Sequence, residues 1–356
     1  MLLDNTLPLA TALYVSPAPE SDVRVGLLVA KATFRMRDKG RLELDTDGPW
    51  PIFVDEHPTP SGLLPEDTLP RDGESLEVLF LGSAHAPSGS PVEEMRVAMT
   101  VGAHRQELDV IGDRQWLEGP GGPVMGRAVP FVRSPLGWDR AFGGTEWVEV
   151  DADSFMEVGH PTNPMGVGFD ASGEAARLRQ GIGAPSGLAA VKPRRLPNIE
   201  DPRHRIRKAT DQPTPTCWAP LSVEHPMHVA RSFQELPDIE SILAHGDAPR
   251  LPRYHYRAVE RWILPRTSGD ISLCLEGLTP LGRESFVVPD LDLVFDFEIG
   301  EVSGSRSVPA QVLAVLPDER TLTVTYRLKF NMAVETGQAR GGRLRSQGLS
   351  KMETAR

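Results

Sequence analysis

Met95-Arg96-Val97-Ala98-Met99-Thr100-Val101, followed after a short interruption by Leu108-Asp109-Val110-Ile111, is the stretch that decides the fold. Met95, Val97, Met99 and Val101 alternate with Arg96, Ala98 and Thr100, and after Gly102 to Arg105 the alternation resumes at Leu108 and Val110. A period of two puts successive side chains on opposite faces of a strand, so the stretch reads as a β-hairpin. Gly112-Asp113-Arg114-Gln115-Trp116 marks its end, and Gly119-Pro120-Gly121-Gly122-Pro123 beyond it reads as irregular chain.

Toward the N-terminus, Pro87-Ser88-Gly89-Ser90-Pro91 reads as a turn, and Leu76 to Ala84 as a strand leading into it. Val23 to Met36 is a further strand near the core, with Lys31-Ala32-Thr33-Phe34 giving it one partly exposed face. Toward the C-terminus, Ala128 to about Pro215 keeps neither the strand nor the helix period. Trp138, Phe142, Trp147, Phe155 and Phe169 make it too apolar for a linker, so ordered irregular loops are expected. Short helices are predicted over Ser172 to Arg179 and Asp238 to His245, the latter stopped by Gly246.

Strands then return at Ile271 to Leu278, Ser285 to Pro289 and Leu291 to Ile299. Val312 to Val315 leads through Pro317-Asp318-Glu319-Arg320 into Leu322, Val324, Tyr326 and Leu328, a second clear hairpin. From Glu335 the chain turns polar and glycine-rich, too poor in apolar groups to repay ordering, and reads as a flexible tail.

The expected fold is mainly β, an antiparallel β-sandwich or barrel-like sheets with long irregular loops and few short helices. Residues 1–334 form a single module: a β-rich lobe over 1–128, a loop-rich segment over 129–215, and a connecting segment with a second β lobe over 216–334. The flexible tail is 335–356. Among 356 residues, 33 glycines and 33 prolines favour short strands and turns over long helices. No repeat of solenoid or propeller period is present.

With 40% hydrophobic residues the protein can bury a sizeable core. A net charge of −11 opposes general binding to a phosphate backbone and leaves room for a basic or apolar partner. Lys192 to Lys208 is a basic island, but acids interrupt it and it lacks aromatic residues for base stacking, so it reads as a charge-balanced loop. No run of about 20 apolar residues suits a bilayer, and Asp4 interrupts any leader, so no membrane contact is expected. Cys217 and Cys274 lack disulfide-framework or metal spacing, which fits a reducing, cytoplasmic compartment.

Chemistry is sparsely signalled. His225 and His228 could share a helical face, but no further zinc ligands stand beside them. Gly166-Val167-Gly168 has the letters of a dinucleotide fingerprint, yet it follows prolines rather than a buried strand, and the glycines read as turn-formers. There is no nucleophile elbow and no phosphate-binding loop. Asp109 with Asp113, or Asp151 with Asp153, read as solvated turn carboxylates rather than an acid and base pair. No catalytic, cofactor or metal residue is assigned.

Several separated pieces carry a resemblance: Lys31-Ala32-Thr33-Phe34, Leu81 to Pro87, Gly112 to Trp116, Pro130 to Gly144, Asn163 to Phe169, and Leu196 to Pro202. In order and spacing they resemble domain-of-unknown-function family 2169, found in type VI secretion gene clusters and regarded as effector adaptors or chaperones. Glu66 to Glu77 lacks that family's usual lysine-proline stretch, and Val223 to Tyr254 differs from its aromatic-rich segment.

The resemblance implies a non-enzymatic, cytoplasmic protein that holds a type VI secretion effector, a spike-tip protein, or both, with no nucleic acid, membrane or cofactor involved. Trp138, Arg140 and Phe142 are its candidate partner contacts. They are also readable as rings filling a gap and an arginine satisfying loop carbonyls. Two alternatives stand beside it. One is a hydrolase using loop carboxylates on carbohydrate or peptide; the other is a carbohydrate-binding or structural module with Trp138 and Trp147 on one flat surface.

Overall fold

Val23–Met36, the strand on which the first compact unit is built, pairs antiparallel from Val23 to Arg35 with Thr321–Ala333. In the computed structural model, residues 3–16, 23–69, 74–151, 154–172, 194–234, 256–299, 302–333, 339–346 and 348 are described. They form mostly antiparallel sheets with one α-helix and no closed barrel. The protein divides into two units that interleave in sequence: 1–81, 231–273 and 285–356 make the first, and 82–230 with 274–284 the second.

The first unit's larger sheet runs in the order Ala10–Ser16, Val23–Met36, Thr321–Ala333, Ala310–Leu316, Ser75–Phe80, Ile263–Pro265, with Leu42–Leu44 added beside Val23–Met36. The expected partly exposed face of Val23–Met36 is instead covered, and Lys31 and Thr33 are buried. A lysine survives there because its ammonium is fully partnered. Lys31 donates to Asp67 Oδ2 at 2.8 Å and to the Pro51 carbonyl at 3.2 Å, and it sits 3.7 Å over the Phe53 ring. Asp67 accepts in turn from the Phe53 amide and the Thr325 hydroxyl.

The second sheet of this unit corrects the reading of the tail. Ala339–Ser346 lies between Leu3–Asn5 and Leu293–Ile299, with Val302–Val308 beyond, and Leu344 is buried opposite Phe295. One of the glycines that suggested flexibility, Gly342, makes room. A Cβ on Gly342 would stand 2.5 Å from the Phe295 ring, so the bare backbone lets the aromatic ring lie across the strand.

In the second unit, Glu94–Val101 and His104–Ile111 form the expected hairpin, with a turn shorter than expected: Val101 pairs His104, leaving Gly102 and Ala103 as the loop. Gly102 takes φ 58°, which a two-residue hairpin turn demands. Two further hairpins stand where irregular chain was expected. Gln115–Gly119 pairs with Gly122–Met125, so Gly119, Gly122 and Pro123 belong to strands. Gly122–Met125 is an edge strand, where a proline need not interrupt a ladder.

Thr145–Asp151 pairs with Ser154–Gly159. Its alternation was hidden because the aromatic residues point outward: Val148 packs with Ala171, Val158 and Phe169, while Trp147 and Phe155 face solvent. The α-helix, Pro226–Gln234, was not predicted. Apart from Ser172, both helices predicted from sequence lie outside the described residues.

Candidate functional site

The segment Pro130 to Gly144 is one continuous stretch in sequence but serves two purposes in space. Its start is pinned by short ladders: Phe131 bridges Val92, and Arg133–Pro135 pairs antiparallel with Ser83–His85. Gly137 leads into a 3₁₀ turn at Trp138–Arg140, and Phe142–Gly143 pairs in parallel with Val167–Gly168.

Between these ladders the backbone carbonyls find side chains. Asn163, wholly buried, donates from Nδ2 to the carbonyls of Trp138 and Phe142, both at 2.9 Å. Gly144 N–H donates back to the Asn163 carbonyl at 2.8 Å. Gly143, at φ 140°, must be glycine, because a Cβ there would stand 2.1 Å from that same carbonyl oxygen.

Trp138 and Phe142 are internal. The Trp138 indole N–H donates to the Ala219 carbonyl at 3.0 Å, and its ring leans on His225 with centroids 4.7 Å apart. Phe142 packs with Trp116, Leu196 and Ile206, and meets His160 edge-on. Burial drives the His225 imidazole down to about 4, lowers that of His160, and pushes the Cys217 thiol up to about 12. Trp138 and Phe142 therefore hold the segment in place, and their rings are not presented at the surface.

Arg140, the third candidate, reaches an open cleft of about 170 Å³ lined by Asp113, Phe131, Arg133, Ser134, Arg140 and Asn198 among others. Asn198 anchors one side: its Nδ2 donates to the Ile111 carbonyl at 2.9 Å and to Asp113 Oδ1 at 3.0 Å, and its amide N–H donates to the Arg140 carbonyl. Arg140 itself is loosely held, with Nη1 3.4 Å from Asn198 Oδ1 and 3.9 Å from Asp113. Arg195 approaches Asp113 at 3.8 Å. Arg133 donates from Nε to the Ser83 hydroxyl at 3.0 Å. Ser134 is buried at the cleft wall, and its hydroxyl has no partner among the described residues. Val129, also in the lining, is exposed.

Next to Asp113 in sequence, Arg114 forms a buried ion pair with Glu200. Desolvation raises the Glu200 carboxyl and lowers the Arg114 guanidinium, against their mutual attraction. Arg205 stands 3.5 Å from Glu200 and 3.6 Å from Asp109, and Arg96 holds Asp109 at 2.8 Å. Within the basic island, Arg205 is thus held by acids and Arg194 pairs with Asp170 at 2.6 Å. Asp109 and Asp113 do not share the cleft, whose lining holds one carboxylate, Asp113. Asp153 lies outside the described residues.

His225 and His228 are both buried, and no cluster of three His, Cys, Asp or Glu side chains able to hold a metal occurs among the described residues. Gly166 serves the Asn163 turn, its N–H meeting the Asn163 carbonyl at 3.3 Å, while Gly168, in the ladder with Gly143, takes φ 97°. No helix among the described residues is long and apolar enough to cross a membrane.

Sequence reasoning singled out Arg140 but missed Arg133, Ser134 and Asn198. Each belongs to a motif recognisable in the sequence, yet nothing in composition signals that strand pairing and an asparagine bridge bring them to one wall. It also left the hairpin Thr145–Gly159 unread. There Trp147, 67% exposed, and Phe155, 64% exposed, sit diagonally on one face, since Trp147 pairs with Glu157 in register. Trp138 is buried, so the two tryptophans do not make one flat platform.

A profile of the family described as an uncharacterized protein conserved in bacteria (DUF2169) matches residues 21–327. No curated relative and no solved structure matches the sequence.

Proposed function

This chain belongs to DUF2169, a family of uncharacterized proteins conserved in bacteria, and from that premise we propose that it is a non-enzymatic cytoplasmic adaptor or chaperone. Its cargo is a type VI secretion effector, which it helps to load onto the secretion spike, with contact to the spike-tip protein where the two meet. The observation that carries this reading is the outward aromatic face of Thr145–Gly159. Trp147 and Phe155 are large rings held in fixed register on one face of an ordered hairpin.

Aromatic side chains fixed in place lose little freedom when a partner covers them, which is why such residues dominate protein interfaces. The hairpin's own packing does not depend on them, since Val148 and Val158 supply its inner face. The rings are therefore free to serve a partner.

The test is affinity capture with the full-length protein as bait and the purified products of neighbouring toxin and spike genes as prey. Wild type captures one of them, and Trp147→Ser with Phe155→Ser weakens that capture by about tenfold or more while the melting curve stays unchanged. Capture of none of these products, together with catalytic turnover abolished by Asp113→Asn, overturns the reading.

A further inference from the structure

We propose that the cleft bounded by Arg133, Ser134, Arg140 and Asn198 binds a single carboxylate of a polypeptide, either its free C-terminus or an acidic side chain; identifying that polypeptide as the adaptor's cargo rests on the adaptor reading. The first support is charge. In a protein of net charge −11, the cleft lining holds two arginines, Arg133 and Arg140, against one acid, Asp113. Arg140 meets Asp113 only at 3.9 Å, and the planar fork it keeps for a ligand suits the two oxygens of a carboxylate.

The second support is unused hydrogen-bonding capacity. Arg140 contacts Asn198 and Asp113 only at 3.4 and 3.9 Å, both through Nη1, so Nε and Nη2 have no partner among the described residues. A guanidinium presents paired donors that suit the two oxygens of a carboxylate. Ser134 adds a buried hydroxyl with no partner among the described residues. A buried polar group left unpaired costs free energy, and a ligand oxygen would satisfy it.

The third support is the surroundings. Phe131 and the exposed Val129, both in the lining, offer apolar contact to the residue that carries or precedes the carboxylate. Asp113, 60% exposed and 3.9 Å from Arg140, occupies the guanidinium when no ligand is bound. The incoming carboxylate displaces it, which gives the site a built-in competitor.

The full-length protein is titrated with four probes, by calorimetry and by arginine-selective NMR of the Nε–H signals. They are N-acetyl-Ala-Leu-Val with a free C-terminus, the same peptide as its amide, N-acetyl-Ala-Glu-Val amide, and inorganic phosphate. A carboxylate peptide binds and shifts the Arg140 signal; which of the two acids binds better identifies terminus or side chain, and the neutral amide binds at least about tenfold more weakly. Arg140→Gln weakens the acid peptide by a similar factor. Asp113→Asn tightens it several-fold, a gain that a merely structural role for either residue would not produce. If Arg140→Gln fails to fold, Arg140→Lys, which keeps the charge and loses the fork, gives an intermediate loss.

Equal binding of acid and amide, tighter binding of phosphate than of either acid, or no tightening by Asp113→Asn overturns the assignment. Capture of a cargo protein that survives Arg140→Gln undiminished overturns it too, while leaving the adaptor reading intact. Conversely, Arg140-dependent peptide binding by a protein that captures no effector or spike product keeps the cleft and removes the adaptor.

Discussion

The hairpin Ala310–Leu316 with Thr321–Ala333 and the segment from Arg133 to Gly168 solve the same problem, satisfying buried backbone, by different means. In the hairpin, Leu313, Val315, Leu322 and Val324 are buried, and the ladder to neighbouring strands takes up the polar groups residue by residue. In the other segment, outside the hairpin Thr145–Gly159, the ladders are two or three residues long. The carbonyls between them are closed by Asn163, while Asn198 ties in the neighbouring stretch. A ladder spreads the work over many equivalent bonds. A side-chain amide concentrates it in one residue, and the region's tolerance to substitution should differ accordingly.

The largest expected effect lies at the buried Arg114–Glu200 pair. Arg114→Met takes from the buried Glu200 its closest cation, leaving Arg205 at 3.5 Å, and is expected to cost about 3 kcal/mol, while Arg114→Met combined with Glu200→Leu recovers most of it. Urea unfolding of the three proteins measures both. If the double variant is as unstable as the single one, the pair is not the source of the loss.

A volume-conserving change then compares the two regions directly. Asn163→Leu leaves the Trp138 and Phe142 carbonyls without their donor and is expected to cost about 2–4 kcal/mol, whereas Leu322→Met in the ladder costs less than about 1.5 kcal/mol. Equal losses in chemical denaturation would erase the difference between the two regions.

The smallest effect is a pH dependence. His225 is held at about 4 in the folded protein, against 6.5 for an ordinary histidine. Between those values the unfolded protein binds a proton that the folded one does not, so stability falls as pH drops from about 6.5 to about 4 and this contribution then levels off. The loss is on the order of 2 kcal/mol, and His160, also lowered by burial, acts in the same direction. Unfolding at pH 7 and pH 4.5 reads it; His225→Phe should flatten the difference, and an unchanged slope would remove His225 as its cause.

What could be read from the sequence divides along the same line. Met95 to Val110 and Val312 to Leu328 announced themselves because one face is apolar and the other is not, a pattern written into every second residue. Thr145–Gly159 has the same period but was missed, since Trp147 and Phe155 point outward and blur the contrast between faces. Ala339–Ser346 reads as a tail because its glycines look like flexibility until Phe295 is seen lying over Gly342. Lys31 looked exposed because a lone lysine usually is, and only Asp67, Pro51 and Phe53 explain its burial.

By itself, the sequence determined the β character of this protein, its long hairpins and its family, since alternation and motif order are local and survive without coordinates. Only the tertiary structure decided that Trp138 and Phe142 face inward while Arg140 faces a cleft, and that Arg133, Ser134 and Asn198 join it there. In Pro130 to Gly144 the direction of each side chain is set by strand pairing and by Asn163, twenty or more residues away, and no local pattern encodes contacts of that range.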